Sequence, residues 1–138
     1  MTTAATVPID AYRQTDFVVI HDGNEIAVHL GESSAALDCL LAEIDASSGI
    51  FITAWNPLSQ EQSAEENAAA HARMAALFAE RAVRVLPHIG RSRVSEWSED
   101  GFFALNLDPE EALTVAREFR QHAVVYAPRG APTELLLT

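Results

Sequence analysis

Polar side chains that could bind a ligand are concentrated at the end of one apolar segment, residues 49–57. The segment begins as a nearly unbroken apolar run and ends in Thr53, Trp55 and Asn56, followed by a proline. An apolar run of this kind predicts a strand buried on both faces. Pro57 predicts an extended Asn56 at the last position of the strand, followed by a sharp turn. Because α/β sheets commonly bind ligands at strand ends, this corner is the first candidate site.

Four further side chains are candidates to join the corner. Asn67 lies on the buried stripe of a predicted helix that begins at Ser63, and an asparagine on the buried side of a helix must find hydrogen-bond partners. The nearest polar groups in the sequence belong to the corner, so we expect Asn67 beside it, either fixing the loop or contacting a ligand. His88 lies at the end of a later predicted strand. Glu99 and Gln121 complete the set.

Two kinds of chemistry fit these residue types. Trp55 offers a flat stacking surface, and the amide side chains of the set offer paired donors and acceptors, which suit a neutral polar ligand such as a base or an amide. His88 and Glu99 could perform general acid–base catalysis if they lie within hydrogen-bond reach of each other. The alternative is a buried polar network that only fixes the ends of the sheet.

Other kinds of site find no support in the sequence. No glycine-rich phosphate loop occurs, and the five histidines include no pair spaced one helical turn apart. We therefore expect no metal and no cofactor. The single cysteine, Cys39, lies among leucines in a predicted helix, which favours an inert buried thiol over a nucleophile.

Length and charge limit the class of protein. The chain has 138 residues, of which 49% are hydrophobic and 21% charged, so we expect one globular domain at residues 11–138 after a flexible tail at residues 1–10. The net charge of −11 repels phosphate groups, so neither nucleic acid nor an anionic membrane is an expected partner. The sequence has no signal-peptide pattern and no membrane-length apolar run, which predicts a soluble cytoplasmic protein. It leaves a homo-oligomer open.

The elements that must position these side chains follow the order ββαβαββαβ(β). The first two strands are predicted at residues 12–20 and 25–30, joined by an Asp-Gly hairpin turn. The first helix follows and is predicted to end at Gly49 as a left-handed cap. The remaining helices are predicted to begin at Ser63, with a capping box, and at Asp108, with a proline after the cap. Two hairpins without strict strand–helix alternation predict an α+β fold, a two-layer sandwich of three helices on a mixed, mainly antiparallel sheet.

Several of these positions together resemble a known family. They are residues 51–57, Ser63, Asn67, Trp97, Glu99 and residues 121–126. The pattern resembles the bacterial family catalogued as domain of unknown function 3293, over about residues 12–137. Where that family usually has a glycine before the glutamine, this chain has Arg120. The resemblance implies no particular activity, but it groups the corner, Asn67, Glu99 and Gln121 as one functional or structural unit.

Three hypotheses for the function follow, in this order of preference. The first is a binding or regulatory module for a small polar ligand at the end of strand 50–56. The second is a protein–protein interaction module, a homodimer included, which predicts a flat apolar edge and no pocket. The third is a small hydrolase or transferase using Glu99 and His88, which predicts a concave pocket that holds both side chains and a raised glutamate pKa.

Overall fold

The computed structural model describes residues 7–138. Its α-helices are α1 (Ile9–Arg13), α2 (Ala35–Glu43), α3 (Ala64–Glu80) and α4 (Pro109–Glu118). Its strands are β1 (Thr15–His21), β2 (Asn24–Val28), β3 (Ser48–Ile52), β4 (Val85–Ser92), β5 (Ser98–Leu105), β6 (Ala123–Pro128) and β7 (Glu134–Leu137). A short 3-10 turn covers Pro57–Ser59. None of the described helices combines the length and hydrophobicity that a membrane crossing requires.

The strands form one seven-stranded sheet in the order β2-β1-β4-β5-β3-β6-β7. Every pairing in this sheet is antiparallel. The predicted α+β class and mainly antiparallel sheet are therefore confirmed. The predicted order of elements also holds, with one helix, α1, added at the front.

Helices cover both faces of the sheet, which differs from the predicted two-layer arrangement. Side chains alternate along β3, so Ile50 and Ile52 belong to a buried cluster with α3 and α4. Phe51 belongs to a second buried cluster, which it shares with α2. A strand buried at all five positions needs a cover on each side, and the structure supplies it with helices on both faces.

The sheet is curled, and its two edges approach each other after β2 and before β7. Thr133 connects them: its N–H donates to the carbonyl of Glu32 (3.1 Å), and its carbonyl accepts from the N–H of Gly31 (3.1 Å). Its hydroxyl also donates to the carbonyl of His29 (2.7 Å). The cluster around α2 gathers side chains from β1 and β6, which are separated by three strands in the sheet. This face is therefore the concave one.

The N-terminal segment differs from its prediction. Residues 1–6 of the predicted tail lie outside the described residues, and Ile9 and Asp10 belong to α1. Tyr12, predicted to begin the first strand, is also in α1, and β1 begins only at Thr15. The hydroxyl of Thr15 donates to the carbonyl of Ala11 (2.6 Å), which ties the end of the helix to the start of the strand.

The helix starts agree with the sequence, whereas the end of α2 does not. Ser63 forms the predicted capping box at α3, and Asp108 caps α4. Helix α2 ends at Glu43, and Asp45 takes the left-handed conformation (φ 62°) that was predicted for Gly49. Gly49 instead lies inside β3, where the ring of Phe103 occupies the space that a side chain would need.

Cys39 corrects another expectation. Its thiol was predicted to be buried among leucines, but the residue is exposed. The reason is helical periodicity: Leu37, Leu40 and Leu41 form the buried stripe of α2, and position 39 falls on the opposite side.

The contact between Gly49 and Phe103 makes a prediction about stability. A Cβ atom at Gly49 would overlap three atoms of the Phe103 ring, which is fully buried. We expect Gly49→Ala to lower the free energy of unfolding by about 1–3 kcal/mol, the usual cost of overpacking. Gly90→Ala is the matched control, because its Cβ would meet nothing nearer than Thr15 Cγ2 at 3.6 Å. Urea unfolding of both variants measures this, and equal losses would contradict it.

Candidate functional site

The strand corner is built differently from the sequence prediction. Strand β3 ends at Ile52, and Asn56 is left-handed, with φ 47° and ψ 63°, instead of extended. The preference of a pre-proline residue for extended backbone is therefore overridden here. The physical reason is that the backbone N–H of Asn56 donates to Asn67 Oδ1 (3.0 Å), which fixes the direction of the chain. Asparagine tolerates this conformation better than most residues.

The turn after the corner holds further left-handed residues. Leu58 (φ 54°) and Ser59 (φ 60°) adopt this conformation in addition to Asn56. It costs a leucine about 1–2 kcal/mol. Surrounding contacts must therefore hold the turn, and one of them is the hydrogen bond from the N–H of Leu58 to the carbonyl of Arg120 (2.7 Å).

The two asparagines form a reciprocal pair at the centre of the site. Besides accepting the N–H of Asn56, Asn67 donates from Nδ2 to Asn56 Oδ1 (3.1 Å). Gln62 binds both, donating its backbone N–H to Asn56 Oδ1 (3.1 Å) and its side-chain amide to Asn67 Oδ1 (3.0 Å). Asn56 Nδ2 donates to Glu99 Oε2 (2.8 Å). This network joins the corner to α3 and β5, so Asn67 lies beside the corner, as its helical position predicted.

Thr53, Trp55 and Gln121 connect the same corner to the rest of the sheet. The hydroxyl of Thr53 donates to the carbonyl of Asp100 (2.7 Å) and accepts the N–H of Trp55 (3.1 Å). Gln121 Nε2 donates to the carbonyl of Trp55 (3.0 Å). The indole N–H of Trp55 is buried and has no hydrogen-bond partner among residues 7–138.

All the candidate side chains line one cavity of about 970 Å³. The seven candidates are Thr53, Trp55, Asn56, Asn67, His88, Glu99 and Gln121. The cavity lies on the concave face of the sheet, where Phe17 and Phe51 contribute both to its wall and to the cluster around α2. Helix α2 thus fills one part of the concave face and leaves another part open. That these residues bind a ligand stays a prediction.

Two glycines shape the floor of this cavity. In the pairing of β4 with β5, His88 lies opposite Gly101 and Gly90 lies opposite Glu99. Paired residues and residues two apart share a face, so all four belong to the concave side. The space beside Gly101 is already occupied, because a Cβ atom there would collide with the carbonyl of Ile52. A Cβ atom at Gly90 would fit without a clash. Gly90 therefore forms a part of the cavity floor, next to His88 and Glu99, that carries no side chain.

His88 is buried and neutral. Its Nδ1 lies 3.1 Å from the carbonyl oxygen of Val18; since a carbonyl can only accept, Nδ1 carries the proton and Nε2 is left as an acceptor. Burial lowers the pKa of His88 to about 4, although the bond to Val18 opposes this. The ring packs against both Phe17 and Phe51, with ring centroids 6.0 and 4.9 Å away.

Glu99 is the second ionisable group in the cavity. Burial raises its pKa to about 7, and the hydrogen bond from Asn56 opposes the rise. Tyr12 is close enough to respond to it: burial, and then the negative charge of Glu99, raise the pKa of Tyr12 to about 12. Glu99 thus changes between its neutral and charged forms near neutral pH.

The charges around the cavity have one sign. Its wall contains the carboxylates of Glu61, Glu96 and Glu99, and no arginine or lysine of the described chain lines it. No hydrogen bond joins His88 to Glu99 within residues 7–138. That part of the chain also contains no group of three side chains suited to hold a metal ion.

The fold and cavity together define the class: an α+β protein with a polar cavity on the concave face of a curled antiparallel sheet. Within it, the chain belongs to the family described as "Protein of unknown function (DUF3293)", whose model matches residues 52–124. The match covers just over half of the chain and includes all seven candidate side chains. It is shorter than the resemblance over residues 12–137. No curated protein and no solved structure matches the chain significantly.

Several residues of the cavity wall were not among the predicted candidates. The most important are Tyr12, Thr15, Phe17, Gln62 and Gly90. Gly90 could have been found by counting two residues from His88 along the predicted strand. Tyr12 and Thr15 gave no such signal, because they depend on how α1 folds back over the concave face.

Arg120, the residue before Gln121, holds a backbone conformation that favours glycine. Arg120 is left-handed (φ 56°), a conformation that glycine adopts at no steric cost. We expect Arg120→Gly to stabilise the protein by about 0.5–1 kcal/mol, the net of relieved strain and lost chain entropy. Arg117→Gly, an exposed position inside α4, is the control and should destabilise by about as much. Equal effects in urea unfolding would contradict this.

The raised pKa of Glu99 predicts how stability depends on pH. Its pKa is near 4.5 when unfolded and about 7 when folded, so the folded state resists ionisation. Its contribution to stability is fully present below about pH 4.5 and is lost as the pH rises to about 7, at a cost of about 3 kcal/mol. Glu99→Gln removes this loss.

Urea unfolding of the wild type and Glu99→Gln across this pH range measures the effect as a difference between the two proteins. Glu96→Gln is the matched control, because this glutamate also lines the cavity but is exposed. Parallel pH profiles for the wild type and Glu99→Gln would show that the prediction is wrong.

Proposed function

We propose that this protein is a binding module for a small polar ligand, held in the cavity on the concave face of the sheet. The observation that carries the proposal is the convergence of all seven candidate side chains on one cavity of about 970 Å³. Ligand sites in proteins are typically concave, of roughly 300–1,000 Å³, with an aromatic lining and a few placed polar groups.

Four of the seven candidate side chains divide into two groups by their hydrogen bonds. Asn56 and Asn67 bind each other and Gln62, so their task is to hold the turn that forms one wall. His88 Nε2 and one oxygen of Glu99 have no partner within residues 7–138, and both residues line the cavity. We infer that these two groups contact the ligand directly, while the asparagines fix the shape of the site.

The other two hypotheses receive less support. An interaction module without a ligand predicts a flat apolar edge and no pocket, whereas the described residues line a large, open cavity. The acid–base hypothesis gains from the raised pKa of Glu99. It loses because His88, with a pKa of about 4, stays neutral and has no hydrogen bond to Glu99 through which a proton could pass.

Tryptophan fluorescence provides the test, because Trp55 and Trp97 are the only tryptophans of the chain and both line the cavity. The probes are uncharged planar compounds: benzamide, nicotinamide and adenine. We expect at least one to change the fluorescence saturably and to raise the melting temperature. Gly90→Leu, which fills the floor, should remove both effects, and Gly90→Ala should keep them.

Two results would contradict the proposal. One is the absence of saturable binding at millimolar concentration by any probe of this size, whether uncharged or charged. The other is binding that Gly90→Leu leaves unchanged, provided that this variant still unfolds cooperatively, because the ligand would then lie outside the cavity.

A further inference from the structure

Three buried side chains in the cavity wall have already used their hydrogen-bond donors. Each donates to backbone carbonyls: His88 Nδ1 to Val18 (3.1 Å), Thr15 Oγ1 to Ala11 (2.6 Å), and the two N–H groups of Gln121 Nε2 to Trp55 (3.0 Å) and Phe119 (3.4 Å). The atoms that remain available on these three side chains are a ring nitrogen, an amide oxygen and hydroxyl lone pairs, all of which accept. These three side chains therefore present acceptors to the cavity.

The strongest of these acceptors lie on either side of Gly90. A Cβ atom on Gly90 would be 3.9 Å from His88 Nε2, so this nitrogen borders the open floor. Across the strand pair, Gly90 lies directly opposite Glu99. His88 is only 5% exposed and cannot donate from Nε2, because its proton is on Nδ1. A ligand on this floor thus meets one neutral acceptor and one carboxylate.

The negative charge of the wall also favours a ligand that donates hydrogen bonds. Glu99 is half-buried, and its one described hydrogen bond comes from Asn56 to Oε2, which leaves Oε1 free. Glu61 and Glu96 add negative charge at exposed positions of the wall, where no described arginine compensates for it. A desolvated carboxylate without a cation is unfavourable, and a bound cation would offset that cost.

We propose that the ligand carries a planar cation rich in N–H donors, an amidinium or guanidinium group, and places it on the floor at Gly90. Glu99 accepts from the cation, and His88 Nε2 accepts a second N–H. Planar N–H cations match a carboxylate with two parallel hydrogen bonds, which a compact ammonium group cannot do. The aromatic rings of Phe17 and Phe51, which line the cavity beside His88, suit the apolar remainder of such a ligand. This inference rests on the proposed binding function and names its ligand class.

Three probes of nearly equal shape test the inference. Benzoate, benzamide and benzamidine share one ring and carry negative, zero and positive charge. At about pH 8, where Glu99 is ionised, calorimetric titration should give benzamidine an affinity at least about tenfold higher than benzamide. Benzoate should show no binding, because like charge repels it from the wall.

Two variants identify the group responsible. Glu99→Gln keeps the size of the side chain and an oxygen for Asn56 but removes the charge, and it should abolish the preference for benzamidine. Glu80→Gln removes the same charge from an exposed position that does not line the cavity, and it should preserve the preference. If Glu99→Gln does not fold, the series on the unmodified protein still decides, since the preference is measured there.

The outcomes separate this inference from the binding function itself. If benzamide binds as tightly as benzamidine, and Gly90→Leu blocks it, the cavity is a ligand site but the cation is wrong. The same holds if uncharged probes bind and benzamidine does not. A preference for benzamidine that persists in Glu99→Gln would also overturn the inference, because the carboxylate would not be its cause. Failure of every probe would overturn both proposals.

Discussion

The mutual hydrogen bonding of Asn56 and Asn67 is the interaction on which the cavity depends. It holds a residue in a backbone conformation that the following proline disfavours, and it turns the chain at the point where the wall of the cavity begins. Asn56 then donates to Glu99 and so fixes the half-buried carboxylate of the cavity wall. Because the energy of such a network is shared among its members, the turn, α3 and β5 behave as one unit.

The concave face shows how a protein leaves space in a sheet without weakening it. The space beside Gly49 is occupied by the ring of Phe103, and the space beside Gly101 by the backbone of a neighbouring strand. Both glycines therefore allow close packing. Gly90 has the same residue type and the same orientation, yet a Cβ atom there would meet its neighbours only at ordinary contact distances, 3.6 Å or more. The two polar side chains beside it, His88 and Glu99, are each held by a hydrogen bond, to Val18 and from Asn56 respectively. The emptiness is therefore local and bounded by rigid elements, as a binding site requires.

Local signals in the sequence predicted much of this structure, but they did not predict the features that depend on contacts between distant residues. Helical spacing located Asn67, and the caps at Ser63 and Asp108 located two helix starts, because a few neighbouring residues determine them. The extended conformation predicted for Asn56 was wrong, because its hydrogen bond to a residue eleven positions away outweighs the preference set by the following proline. The curl of the sheet and the fold of α1 over the cavity depend on contacts across most of the chain, and no short pattern encodes them.

The hydrogen bonds of Thr133 have a consequence for how the protein folds. They join positions separated by 102 and 104 residues, so the chain must close a very long loop before the edges of the sheet meet. Contacts of such separation slow folding. During synthesis, the concave face cannot close until residue 133 has left the ribosome, and until then its apolar side chains depend on α1 and α2 for cover. The cavity is thus among the last parts of the molecule to form.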